Sequence, residues 1–150
     1  MSLDENKDLV RRAVAADSPE EMDKYYARDY VGHASEGSEQ GDYTLADVKK
    51  EWFEVIKSGF PDVTIRLESI VAEGDLVASR VVVTGTHTRE YLGVPATGKT
   101  LRTSAVSIDR IVGGKIVESW GEGGKGFHEQ LTGIRAPKLS DISIPESAKK

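Results

Sequence analysis

His33, His87 and Glu122 are side chains of this sequence whose types suit proton transfer. Imidazole titrates near neutral pH, so a histidine aimed at a carbonyl can orient or protonate it. His33 closes the run Tyr30-Val31-Gly32-His33, which reads as a short strand or extended exit. His87 lies in Gly85-Thr86-His87-Thr88, just before a long loop, as a second donor or a base. Glu122 follows Trp120 by two positions, so a regular strand puts it on one face with Ile116, Glu118 and Trp120. A carboxyl beside an indole in an apolar cavity has its pKa raised and can act as a general acid. Trp52, Trp120 and Tyr30 are the substrate-binding candidates, Trp120 through its indole N–H.

Each of these residues also has a plainer reading. His33 could cap a loop, His87 could bond to backbone at a strand end, and Glu122 could be a solvated residue amid glycines. Trp52, Trp120 and Tyr30, with Tyr25 and Tyr26, also read as core. Arg80 and Arg102 fall mid-strand and are expected to face outward on a one-sided sheet. No metal site is expected, because the chain lacks cysteine and His33 and His87 have no His-x-x-x-His spacing.

The elements that must position these groups change period halfway along the chain. Leu9, Val10, Ala13 and Val14 share a helical face. Ser18-Pro19-Glu20-Glu21 restarts a helix with Ser18 as N-cap, and Met22, Tyr25 and Tyr26 form its stripe. Ala34 to Asp42 is a polar loop rich in Gly and Ser. Thr44 and Asp47 open a third helix carrying Leu45, Val48, Trp52, Val55 and Ile56, and Ser58-Gly59 ends it. Val63, Ile65 and Leu67 then alternate with polar residues as a strand, and Ile70 breaks the parity, which predicts a bulge. Strands follow over Leu76 to Thr88, Leu101 to Val112 and Lys115 to Glu122, the last two joined by a Gly113-Gly114 turn. Helices followed by an antiparallel meander imply an α+β fold with helices on one face of a curved sheet. The hollow end of such a cone is a natural ligand site. Residues 1–133 form this domain, and residues 134–150 read as a flexible or subunit-crossing tail of net charge +2 against −7 for the rest.

Composition narrows the function. The 150 residues carry 20 Lys+Arg against 25 Asp+Glu, a net charge of −5. That balance disfavours nucleic acid and anionic membrane surfaces as partners. The absence of cysteine excludes disulfides and thiolate nucleophiles. Apolar runs such as Val81-Val82-Val83 are far too short to span a membrane. Met1 to Glu5 is acidic with no apolar h-region, so the expectation is a cytoplasmic protein without a signal peptide.

Several stretches together resemble the SnoaL-like polyketide cyclases of the nuclear-transport-factor-2-like superfamily. They are Asp75-Leu76-Val77-Ala78, Thr84-Gly85-Thr86-His87-Thr88 and Tyr91-Leu92-Gly93-Val94-Pro95-Ala96-Thr97-Gly98-Lys99. Asp29 to His33, Phe60-Pro61-Asp62 and Gly114 to Trp120 support them. The resemblance implies a cone around a pocket, a homodimer formed through the sheet, and a hydrophobic carbonyl-bearing ligand. It implies ring closure by intramolecular aldol condensation without metal or cofactor, with an acidic side chain as acid and base. It also places His33 at the pocket mouth. The family's Trp-Asp-x-x-Asp pattern would put carboxylates at positions held here by Gly121 and Gly124, which leaves Glu122 as the nearby carboxyl. A non-catalytic small-molecule-binding module of the same fold is the alternative expectation.

Overall fold

The computed structural model describes residues 1–144. Helix α1 (Leu3–Val14) starts at the Ser2 N-cap and buries Val10 and Ala13. Helix α2 (Pro19–Met22) is a single turn, with the Ser18 hydroxyl accepting from the Glu21 amide at 3.1 Å. The expected helical stripe stops at Met22, because Tyr26 already begins strand β1 (Tyr26–His33). Strand β2 (Asp42–Thr44) leads into α3 (Leu45–Lys49) through the predicted Thr44–Asp47 capping box. A π-helical segment, Lys50–Ile56, and the short α4 (Lys57–Gly59) continue that helix.

The meander follows as β3 (Thr64–Glu73), β4 (Leu76–Thr86), β5 (Thr100–Val112) and β6 (Lys115–Gly123). The expected irregularity in β3 falls between Leu67 and Ser69. Gly113 and Gly114 turn the β5–β6 hairpin with φ of 59° and 76°, a region that side chains resist. Helix α5 (Phe127–Thr132) closes the domain.

The six strands form one sheet in the order β2-β1-β6-β5-β4-β3. The antiparallel expectation holds except where β1 runs parallel to β6, pairing Gly32 with Ser119 and His33 with Trp120. The result is a mixed α+β domain with a curved, open sheet, as expected for a nuclear-transport-factor-2-like cone. Two buried apolar clusters flank its hollow. One joins α1 to Tyr30, Val77, Ile111 and Ile116, and the other joins Val55, Phe60, Val83, Tyr91, Phe127 and Leu139. Within residues 134–144, expected as part of a flexible or subunit-crossing tail, Leu139 is only 7% exposed and packs with Ile142 and Ile144 in the second apolar cluster, while residues 134–138 are exposed. The tail expectation for residues 145–150 lies outside the described residues.

Candidate active site

A cavity of about 880 Å³ opens between the sheet's inner face and the helical segments. That volume suits a ligand of several rings. Strand parity decides what enters it. On β5 the inward residues are Thr103, Ala105, Ser107 and Asp109, and on β6 they are Ser119, Gly121 and Gly123. Ser79, Val81 and Val83 continue this wall on β4. The wall is therefore polar at the Asp109 end, bare at the β6 glycines and apolar towards Val81 and Val83.

Asp109 is the central polar group, at 6% exposure. Its Oδ1 accepts from the Ser107 hydroxyl at 2.9 Å and from the Ser119 hydroxyl. Burial raises its carboxyl above the usual range, while the two serine hydroxyls work against that rise. Tyr26 and Tyr30 line the same end. Burial drives both phenols well up. Tyr43 reaches in from β2, its phenol raised chiefly by burial, with its ring centroid 6.5 Å from that of Tyr30. Asp109, Ser119, Tyr30 and Tyr43 thus form one line of polar groups along the cavity.

Glu51 faces this line from the π-helical segment. A π-turn brings residues about i, i+4 and i+5 to one side, so Glu51, Val55 and Ile56 line the cavity and Trp52 turns out of it. Water reaches Glu51, yet the surrounding protein still raises its carboxyl by desolvation, reinforced by Asp47. The mouth is crossed by the segment after α5. Lys50 Nζ donates to the Leu139 and Ile142 carbonyls, both at 3.0 Å, and the Leu139 amide donates to Gln40 Oε1 at 3.0 Å. Arg135, Pro137, Leu139 and Ile142 line the cavity from this strap.

The residues singled out in the sequence do not converge. Tyr30 lines the cavity. His33 lies at its rim, but its imidazole stacks on Trp120 with centroids 5.3 Å apart and bonds to Glu118 and Asp42. Trp120 and Glu122 occupy the outer face, a correction to the expected pocket position. The cause is a bulge: Ile111 pairs with Ile116 while Arg110 pairs with Glu118, so Val117 is an extra residue and parity flips beyond it. His87 has no exposure and sits outside the cavity lining, stacked on Phe60. Its Nδ1 accepts from the Thr97 amide at 3.3 Å, and its own backbone bonds to Lys99 and Gly98, so it pins the loop after β4. Trp52 packs half-buried against the second apolar cluster, outside the cavity.

Sequence reasoning missed Asp109, Glu51 and Tyr43. Asp109 carried a readable signal, a charged residue on the same parity as Ser107 and buried Ile111. Glu51 carried none, because α-helical spacing selects Trp52 in its place. Among the described residues no group of three or more His, Asp or Glu side chains is arranged to hold a metal ion, and no helix is long and apolar enough to cross a membrane.

The curved, open six-stranded sheet matches that of nuclear-transport-factor-2-like cyclases. The chain belongs to the SnoaL-like polyketide cyclase family, whose model matches residues 7–131. It is similar in structure to AclR, a proposed hydroxylase from Streptomyces galilaeus, with TM-score 0.75 and 29% identity over 97% of this chain and 88% of that one. IdmH, a proposed polyketide cyclase from Streptomyces antibioticus, gives TM-score 0.71 and 28% identity over 86% of this chain and 99% of that one. A proposed polyketide cyclase from Acidithiobacillus ferrooxidans gives 0.68 and 26% over 87% and 97%. No curated protein sequence matches the chain.

Proposed function

We propose that this protein performs acid/base chemistry on a hydrophobic, carbonyl-bearing small molecule, closing a ring by intramolecular aldol condensation. The observation that carries this reading is the Asp109 carboxyl, buried in the wall of a large cavity and held by two serine hydroxyls. A carboxylate whose pKa is raised is a stronger base at neutral pH than a free one. In the proposed step Asp109 removes a proton from a methylene flanked by carbonyls. The enolate carbon then attacks a second carbonyl of the same molecule, and the new alkoxide takes a proton back. The apolar wall of Val81, Val83 and Phe127 accommodates the rest of the ligand.

A second reading, a binding module without chemistry, is favoured by one specific feature. Gly121 and Gly124 line the cavity where the family pattern has carboxylates. The two readings separate with 2-tetralone in heavy water, followed by NMR. Proton transfer predicts deuterium entering the C1 methylene with unaltered protein and not with Asp109→Asn. A binding module holds the ketone and exchanges nothing. We also propose a homodimer through the outer sheet face, supported by Val106 and Ile108, which are 41% and 40% exposed there.

A further inference from the structure

We propose that the Tyr43 hydroxyl is the group that meets the ligand's oxygen, occupying the side-chain space left vacant at Gly121. The inference rests on the reading above only in requiring that the ligand carry an oxygen.

Two glycines make room for this arrangement. Tyr43 pairs directly with Gly32 across the β1–β2 ladder. A Cβ on Gly32 would lie 2.0 Å from Tyr43 Cε2, closer than any real contact, so the ring lies flat on the bare backbone of β1. At its far end the ring extends towards β6. A Cβ on Gly121 would find Tyr43 Oη at 3.8 Å, with no other atom beyond its chain neighbours within 4 Å. A side chain at 121 would therefore project into the space beside this hydroxyl. Gly121 and Tyr43 both line the cavity, so a ligand lying against the bare β6 backbone comes within reach of Oη.

The surroundings suit the role. Tyr43 sits on a strand pinned on one side by β1 and on the other by the Thr44 capping box, so its position is rigid. The strand register sets Tyr43, Gly32, Ser119 and Asp109 in one row across the sheet, so its ring lies in line with the Ser119–Asp109 pair. Burial, with Glu51 and Asp109 both bearing on it, keeps the phenol protonated at neutral pH. A neutral phenol both donates and accepts, so it can donate to a ketone or accept from an enol. With Asp109 as base, the C–H proton passes to the carboxylate and the developing enolate oxygen is held by the Tyr43 O–H.

The test compares 2-naphthol, which mimics the enol of 2-tetralone, with naphthalene, which lacks the oxygen. Both are titrated by fluorescence into the full chain. The expected result is 2-naphthol binding at least about tenfold tighter than naphthalene in the unaltered protein, the worth of one good buried hydrogen bond. In Tyr43→Phe that preference falls below about threefold while naphthalene affinity holds. No preference in the unaltered protein, or a full preference retained in Tyr43→Phe, overturns the proposal. Should Tyr43→Phe lose both ligands, Gly121→Ala decides. Its methyl would stand at ordinary contact distance from Oη. Selective loss of 2-naphthol there supports the role, and equal loss of both overturns it. Because the readout is binding, it stands apart from deuterium exchange: exchange without preference sinks Tyr43 alone, and preference without exchange sinks only the proton-transfer reading.

Discussion

The Ser119 hydroxyl donates to the Asp109 carboxyl across the β5–β6 ladder, from the position directly paired with it. This bond and the one from Ser107 stabilise the charged form against the burial that raises the carboxyl. Ser119→Ala removes one of the two. The Asp109 pKa is then expected to rise further, measured by NMR titration of its side-chain carboxyl carbon. An unchanged or lowered value would show that Ser119 does not tune the site.

The same raised carboxyl fixes a sign for stability. Folded protein holds the Asp109 proton more tightly than unfolded chain does. Its contribution is therefore full below the unfolded value of about 3.9 and is lost as pH climbs through the folded value. Wherever the carboxyl is ionised its burial is a cost, and there Asp109→Asn should unfold at a higher temperature than the unaltered protein. That advantage should shrink on acidification, and thermal unfolding across the acid range checks it.

On the outer face, His33 bonds through Nε2 to Glu118 at 2.7 Å and through Nδ1 to Asp42 at 2.9 Å. The Glu118 bond, then the Asp42 bond, raise the imidazole pKa. Arg110 also approaches Glu118, at 3.5 Å, and so holds that carboxylate whatever the state of His33. Protonated His33 ties β2 to β6. This tie is complete below the unfolded value of about 6.5 and is lost as pH rises through the raised folded value. Hydrogen-exchange protection of residues 34–44, measured relative to the intrinsic base-catalysed rate, should therefore fall on the alkaline side of neutrality, and His33→Asn should remove that fall.

Gly32→Ala should destabilise the domain by roughly 1–3 kcal/mol, the usual cost of forcing atoms into a filled space. The new methyl must displace the Tyr43 ring, since the strands fix both backbones. Urea denaturation gives the number, and a neutral effect would mean that Tyr43 does not lie on β1.

The strap over the cavity mouth is held by Leu139 and by Lys50. Leu139→Ala should cost about 2 kcal/mol, the lower end for a buried leucine because the strap can partly collapse. Lys50→Met should quicken hydrogen exchange at residues 139–142 while leaving β4 and β5 protected. Equal exchange in both proteins would show that the lysine does not fasten the strap.

Much of this architecture is legible in the sequence because alternation and capping are local. The Thr44–Asp47 box, the Gly113-Gly114 turn and the break in β3 all follow from short-range patterns. The site is less legible because it depends on events that leave no local mark. One extra residue at Val117 turns Trp120 and Glu122 outward, and nothing in Ile116-Val117-Glu118 announces it. A π-turn swaps Glu51 for Trp52. Tyr26 fits a helical stripe, but pairing with Ile116 draws it into β1. His87 has the chemistry of a catalyst and is spent on holding a loop. Asp109 alone carries a signal in the sequence, its charge on a buried parity.

Asp109 is the proposed carrier of the ligand's proton. The most direct test of that role is deuterium exchange at the C1 methylene of 2-tetralone, with unaltered protein and with Asp109→Asn. Exchange is expected in the unaltered protein and a loss of at least about a hundredfold in the variant, the usual contribution of a positioned base, with 2-naphthol still bound. Exchange by Asp109→Asn at the unaltered rate would contradict it.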